Sequence, residues 1–399
     1  MSASAVRQHY DVLVLGAGAA GLMCAATAGQ RGRRVAVLDH ARQPGRKILI
    51  SGGGRCNFTH LDSDPSHFLS ANPRFCISAL RRYPPQEFLA LVEAYRIPYT
   101  EKTPGRLFAA ESSRPIRDLL VRECDQGGVD LHLRMGIHRV IATEAGYEVS
   151  LRDGRCLAAS ALVVATGGRS MPKMGATGLG YQLAEQFGIG VRPTRPALVP
   201  LLLDRRWQAV LGPLSGIAVP VCIATGGHSF YEDLLLTHQG VSGPAALQAS
   251  LYWGPGCPVE VDWLPGYDLA VALDALRREH PKRGVRRNLE QHLPQRLARS
   301  LCRECSAQGP VGGYSQAELD ALVQAFKAWS VEPAGTEGYG KAEVTAGGVD
   351  TTDVDSKTLQ SRDVPGLFWA GEVLDVTGQL GGHNFQWAWA SGVAAGRAV

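Results

Sequence analysis

DVLVLGAGAAGLMCAATAGQRGRRVAVLD, residues 11–39, is the stretch on which the fold reading turns. The apolar run Val12–Leu15 reads as a buried strand, Gly16-x-Gly18-x-x-Gly21 as the turn after it, and the alanine-rich residues up to Gly32 as a helix. A second apolar run, Val35–Leu38, ends on Asp39. In this order of strand, glycine turn, helix and strand, three glycines permit the turn, the close approach of a pyrophosphate and tight helix packing. The helix start turns free N–H groups and the positive end of its dipole toward phosphate. Asp39 stands where a carboxylate accepts hydrogen bonds from ribose hydroxyls and repels a 2′-phosphate, which disfavours NADP there. A merely glycine-rich turn before a packed helix would leave Asp39 unexplained.

Two later segments indicate which dinucleotide. Residues 160–170, SALVVATGGRS, read as a buried strand ending in Ala165-Thr166-Gly167-Gly168, and Leu367–Ala370 as another, followed by Gly371-Glu372. The chain then runs through VLDVTGQLGG into a stretch of helical composition that begins at His383. A nucleotide unit at one end and a strand, acid and helix unit at the other resemble FAD-binding proteins of the glutathione reductase type. In those, the Gly-acid pair reaches the ribityl chain and pyrophosphate, and the last helix points its N-terminus at the flavin. No second strand-GxGxxG-helix unit follows the first, so a dedicated nicotinamide domain is not expected.

The string PGRKILISGGGRCNFTH (Pro44 to His60) makes the match specific, together with MGATGLGYQLAEQFGI (174–189), PALVPL (196–201), LTHQGVSGPAALQAS (236–250), VTAGGV (344–349) and GEVLDVTGQLGGHNFQWAWASG (371–392). These blocks, in this order, closely resemble the BaiN/YhiN-like bacterial flavoproteins, several of which are labelled aminoacetone oxidase-like and one branch of which is associated with reduction of conjugated 3-oxo steroids. The resemblance implies an α/β fold: a Rossmann-type, glutathione reductase-like FAD domain interrupted by a β-barrel-like insert and a small helical subdomain. The expected boundaries are 1–192 and 343–399 for the FAD domain, 193–265 and 326–342 for the β-rich insert, and 266–325 for the helical subdomain. The implied cofactor residues are Gly16, Ala17, Gly18, Ala20, Gly21, Asp39, His40, Gly45, Arg46, Lys47, Ser51, Gly52, Gly53, Gly54, Arg55, Cys56, Asn57 and Ile137, then Ala165, Thr166, Gly167, Gly168, Gly371, Glu372, Asp375, Gly382, His383 and Asn384. This sequence departs from the usual family pattern at His383, where tyrosine is common, at His60, where asparagine is common, and at Ala109, where proline is usual.

Composition closes other readings. The 399 residues are 45% hydrophobic and carry a net charge of +4, which excludes a disordered chain and by itself argues for neither nucleic acid nor an anionic membrane. Nine cysteines in a long chain, with no apolar secretory core in MSASAVRQHY, suggest reduced thiols in the cytoplasm. No stretch approaches 18 uninterrupted apolar residues, so no membrane span is expected. HExxH, GxSxG and P-loop motifs are absent, and no metal site is expected.

The chemistry is expected at the flavin. The amides around Gly382, His383 and Asn384 are placed to stabilise the anion that develops at N1 and the C2 carbonyl on reduction. Arg46, Lys47 and Arg55 are candidates to neutralise phosphate or flavin charge, or are solvated surface cations. Cys56 has no partner cysteine at short spacing and reads as packing; Cys302 and Cys305, the one CxxC, read as a buried helix face. His383 is the catalytic acid/base candidate, since imidazole titrates near neutrality, against the alternative that it fills the space of the family's tyrosine. His238, in THQGVSGP, is weaker and reads as part of a turn closing a substrate cleft.

The leading functional expectation is an FAD-dependent oxidoreductase for a small organic substrate, with NAD(P)H docking transiently to reduce the flavin and an enone-like acceptor taking the hydride. An oxygen-using amine oxidase is the alternative of the same class. From another class comes an RNA-associated flavoprotein: residues 277–303 hold nine Lys/Arg against two acids, a local charge of +7 that leaves −3 for the rest. Those 27 residues contain no Phe, Trp or Tyr for base stacking, and charge runs are usually solvated, so a nucleic-acid partner is not the expectation.

Overall fold

The computed structural model describes residues 8–399. The reading of the first ten residues as lacking a secretory core falls mostly on residues 1–7, outside the described ones. The chain divides into two compact units: Met1–Arg195 with Val344–Val399, and Pro196–Glu343.

Unit 1 is built on a seven-stranded sheet. Its order is Asp130–His132, Val35–Leu38, Gln8–Leu15, Cys156–Val164, Gly146–Leu151, Ile137–Thr143, with Leu367–Trp369 also pairing Cys156–Val164. The strands around Gln8–Leu15 are parallel, with Leu13 opposite Ala36 on one side and Leu162 on the other, and Leu162 opposite Leu367. Burial explains their composition: Val12–Leu15, Val35–Leu38 and Leu162–Val164 are all in the core, so they read as unbroken apolar runs. The chain leaves Gln8–Leu15 for Val35–Leu38 on one side and reaches Cys156–Val164 on the other. This reversal opens a crevice beyond the carboxyl ends of these strands, where open α/β sheets bind ligands.

Small residues let the helices approach one another. Helix Ala19–Gln30 is almost entirely buried, and the 16-residue C-terminal helix His383–Ala398 crosses it at Gly392 and Gly396. A Cβ at either glycine would lie 2.6 Å from the carbonyl oxygen of Ala20 or Cys24, closer than real Cβ atoms come. Trp387 and Trp389, 1% and 0% exposed, donate their indole N–H groups to the carbonyls of Gly371 and Phe58, so the aromatic bulk of this helix is buried with its polar atoms satisfied.

Unit 2 carries its own core. Seven strands pair antiparallel in the order Trp329–Val331, Val259–Asp262, Ala218–Thr225, His228–Leu236, Gly240–Ser242, Leu201–Leu202, Gly335–Thr336. The stretch expected as a helical subdomain forms helices Leu269–Glu279, Val285–Leu289, Gln295–Glu304 and Gln316–Lys327. They share one core with the sheet, in which Leu273, Leu289, Leu297 and Phe326 join Val221, Ile223 and Trp263. Among the described residues no helix is long and apolar enough to cross a membrane.

Candidate flavin site

The three glycines of the nucleotide turn answer three different constraints. Gly16 has φ +109°, and any side chain there would run into the Ala165 carbonyl, because the two strand ends touch. Gly21 faces the Gly16 carbonyl across the turn, and a Cβ would overlap that oxygen. Gly18 is different: its backbone is extended, at φ −84° and ψ −172°, and a Cβ would meet no protein atom within 4 Å. The protein does not require glycine at Gly18, so the open space in front of the helix start is where a pyrophosphate would lie. The same openness holds at Gly53 and Gly54, each with no atom within reach of a Cβ.

Asp39 accepts the Ala17 amide on one oxygen and the Ala41 amide on the other, both at 2.7 Å, which fixes the carboxylate at the end of the second strand. Each oxygen keeps a lone pair for a ribose hydroxyl. His40 lies beside it, half exposed, and Ile137 follows Met135, whose amide bonds the Asp39 carbonyl. These residues gather where the adenosine of a dinucleotide is expected.

At the other end, Arg46–Gly54 is a short helix that breaks at Ser51–Gly53, where the dihedral angles leave the helical range. Lys47 projects from it to Ser170 Oγ at 2.7 Å and Glu372 Oε2 at 2.8 Å. Glu372 Oε1 also accepts from Ser170 Oγ at 3.0 Å and from the Thr345 amide at 2.9 Å. The carboxylate expected to reach the ribityl chain thus ties four segments together, and the Lys47 charge is taken by Glu372 and not left for phosphate. Among the described residues Arg46 reaches only Met174 Sδ, at 4.0 Å, and Arg55 is exposed. Ala20 packs under the Gly371 turn, and Gly168 presses on Thr345 and Glu372. Gly45 donates its amide to the Ala17 carbonyl. Asp375 is buried and accepts the Ala71 amide at 2.9 Å; burial pushes its carboxyl up from the usual range.

Among the described residues, the buried polar atoms Asn57 Oδ1 and Thr166 Oγ1 have no hydrogen-bond partner. Orphaned buried atoms are costly unless something else meets them, and both belong to the segments expected to line the flavin. The open cradle at Gly18 is the space that the pyrophosphate of an FAD-shaped occupant would fill.

The helix that should face the flavin begins at Gly382, with φ +101°. A Cβ there would stand 2.6 Å from the Thr59 backbone and 2.9 Å from Asn57 Oδ1, so only glycine brings the helix start this close. The amides of His383, Asn384 and Phe385 are those a helix leaves without an intrahelical acceptor. The Asn384 side chain clamps the preceding turn by bonding both the amide and the carbonyl of Gly378.

His383 requires a correction. The ring is 2% exposed, its Nδ1 lies 2.8 Å from Ser63 Oγ, and it stacks against both His67 (centroids 4.4 Å apart) and His60 (4.6 Å). Burial above all, then the positive character of His67, His60 and Arg106, pushes its pKa down to about 2. A group expected to titrate near neutrality is therefore neutral throughout the physiological range, and the imidazolium acid role is lost. His60 is lowered as well, first by burial. The sequence reading missed Ser63, His67 and Arg106 as neighbours of this ring, and Ser170 and Thr345 as partners of Glu372; the motifs ATGGRS and VTAGGV contained the last two.

Cys56 is fully buried and burial raises its thiol to about 12, so it packs and does not react. Cys302 is likewise buried and raised to about 12. All nine cysteines are free. His238 is exposed in the turn between strands His228–Leu236 and Gly240–Ser242 of unit 2. Among the described residues no cluster of three or more His, Cys, Asp or Glu could hold a metal ion.

A Rossmann sheet with an open pyrophosphate cradle at one chain end and a strand, acid and helix closing the crevice from the other defines a flavin-binding oxidoreductase of the FAD class. A family profile described as HI0933-like protein Rossmann domain matches residues 10–398, and the chain belongs to that family. It is 47% identical over 390 residues to a ribosomal RNA dihydrouridine synthase of Escherichia coli strain K12, covering 96% of each. It is 29% identical over 405 residues to a 3-dehydro-bile acid delta(4,6)-reductase of Clostridium scindens, covering 97% of this chain and 98% of the other. Among solved structures, a 3-ketosteroid-delta4-(5alpha)-dehydrogenase from Rhodococcus jostii RHA1 shares the fold at TM-score 0.51 and 14% identity, covering 99% of this chain and 98% of that one.

Proposed function

We propose that this chain saturates a carbon–carbon double bond conjugated to a carbonyl, and that the substrate is a uracil in ribosomal RNA. One observation carries the reading: end-to-end similarity, at 47% identity, to a ribosomal RNA dihydrouridine synthase. The bile acid reductase supports the reaction class, because the C5=C6 bond of uracil and the double bonds of a 3-oxo steroid dienone are both conjugated to a carbonyl. The enone-like acceptor expected from sequence and the RNA-associated alternative become one reading, with a nucleic-acid partner taken up where the sequence alone argued against it. A ribosomal RNA substrate also fits the expected cytoplasmic location.

Bound FAD supplies the two-electron carrier between a nicotinamide donor and the double bond. NAD(P)H is the donor in this reading, its two electrons and one proton completed by a second proton from the medium. The protein's own part is binding and electrostatics. Gly18 admits the pyrophosphate, Asp39 orients the ribose, and the helix start at Gly382 directs its amides toward developing negative charge. His383 enters as a neutral ring bonded to Ser63, so the proton that completes saturation has to come from another group or from solvent.

The test is anaerobic reduction of the purified yellow protein by NADH and NADPH separately. Incubation with unmodified bacterial ribosomal RNA follows, with mass spectrometry of the nucleosides. Flavin bleaching and a two-hydrogen mass gain on uridine are expected; absence of the mass gain after complete bleaching would refute the RNA substrate.

A further inference from the structure

The charge of unit 2 is unevenly distributed along its sequence. From Pro196 to Glu343 the chain has 13 basic and 15 acidic residues, yet nine of the basic ones lie within 277–303 beside two acids. The segment is +7 and the rest of the unit is −9. Acidic residues are thus present in the same unit but lie mostly elsewhere in its sequence, and the segment keeps a net excess of like charge.

The fold shows how the cations are displayed. Helix Gln295–Glu304 buries Leu297, Ala298, Leu301 and Cys302 and exposes Arg296, Arg299 and Arg303 along the opposite face. Those three are spaced about 4.5 and 6 Å along the axis at the helical rise. Helix Val285–Leu289 likewise buries Val285 and Leu289 and exposes Arg286 and Arg287. Part of the set is internally bonded: Arg277 to Asp274, Arg286 to Glu290, and Arg296 to the Pro213 carbonyl. Arg278, Lys282, Arg283, Arg287, Arg299 and Arg303 are exposed and make no ion pair among the described residues.

We infer that this face of unit 2 is a phosphate-gripping surface for RNA. The inference rests on the reading of ribosomal RNA as substrate and adds to it the part of the chain that holds the polymer. Long flexible cations without carboxylate partners suit a backbone of closely spaced phosphates, which are bound by charge and counterion release and need no base readout. The lack of Phe, Trp and Tyr in the segment fits a surface that holds structured RNA by its backbone and leaves base recognition to another site.

The experiment is equilibrium binding of the FAD-loaded protein to deproteinised bacterial ribosomal RNA across a salt series. Arg283→Gln, Arg287→Gln, Arg299→Gln and Arg303→Gln are combined, and none of these side chains makes an ion pair in the fold. Removing four phosphate contacts lowers the slope of log K against log salt by about 3, so going from ~50 to ~200 mM salt weakens the wild type roughly fiftyfold more than the variant. The double variant Arg299→Gln/Arg303→Gln, expected to lose about half of that slope, keeps the test open if the quadruple misfolds. Neutralising Arg74, Arg81, Arg122 and Arg139 of unit 1 should leave the slope unchanged.

An unaltered slope and affinity in the basic-face variants, at normal FAD content, would overturn the inference. So would an equal loss in the unit 1 control, or binding to anionic phosphatidylglycerol vesicles with none to RNA. If the wild type grips RNA through this face yet forms no dihydrouridine, the proposed reaction falls and the docking face stands.

Discussion

Gly18→Val separates a requirement of the fold from a requirement of the cofactor. The position has φ −84° and ψ −172°, a region valine adopts readily, and a Cβ there meets no protein atom within 4 Å. The apoprotein should lose only the difference between glycine and valine as an N-cap, about 1 kcal/mol. The pyrophosphate should suffer far more. Displacing it from the helix start removes two charge-assisted amide hydrogen bonds of roughly 1.5–3 kcal/mol each, about 3–6 kcal/mol together. That is a rise in Kd for FAD of roughly 10²–10⁴-fold. The assay is a pair of measurements on the same preparation: urea unfolding of the apoprotein, and FAD affinity from quenching of flavin fluorescence. Gly21→Ala is the contrasting control, since its Cβ would overlap the Gly16 carbonyl and should destabilise the apoprotein itself. Wild-type FAD affinity in Gly18→Val would refute the placement of the pyrophosphate and the reasoning from the open cradle.

Further outcomes follow from the surrounding chemistry. The folded His383 ring stays neutral while an unfolded one titrates near 6.5, so the stability it carries is complete above that pH and is lost as pH falls, by about 2 kcal/mol at pH ~5. For a unit of ~250 residues this is roughly 4 °C in Tm, and His383→Phe with saturating FAD should lose that part of the drop between pH ~7 and ~5; an identical drop would contradict it. Lys47 and Glu372 are 33% and 19% exposed, and a double-mutant cycle of Lys47→Met with Glu372→Gln should give a coupling of about 1–2 kcal/mol in urea unfolding, with zero coupling as the refuting result. Iodoacetamide at mildly alkaline pH should label the exposed Cys257 and spare Cys56, whose thiol burial raises to about 12; comparable labelling of both would show that Cys56 is accessible.

What could be read from the sequence was local. Gly16, Gly18, Gly21 and Asp39 lie within one short unit whose spacing already states its geometry, and the buried strands announce themselves as apolar runs. What could not be read depends on residues that meet only after folding. Lys47 and Glu372 are 325 positions apart, and nothing in either neighbourhood says that their charges cancel. The histidine stack is similar: Ser63 and His383 are 320 positions apart, and the ring's loss of basicity comes from burial and from His67, His60 and Arg106, none of which its own segment contains. One signal was available. His60 and His383 are two of the departures from the family pattern, and the structure stacks those two rings face to face. Conversely, the charge run at 277–303 was visible at once, while the absence of carboxylate partners for most of its cations emerged only with the fold.

The glycine crossing of the first and last helices of unit 1 also has a consequence for synthesis. Because Gly392 and Gly396 nest against Ala20 and Cys24, and Gly382 against Thr59, the crevice is walled by segments that precede and follow unit 2 in the chain. Unit 2 emerges between them and has a core of its own, so it can collapse while the first half of unit 1 waits with an unfinished flavin site. Flavin capture is thereby deferred until the segment after unit 2 has been synthesised, and a nascent chain arrested before Gly371 should be colourless.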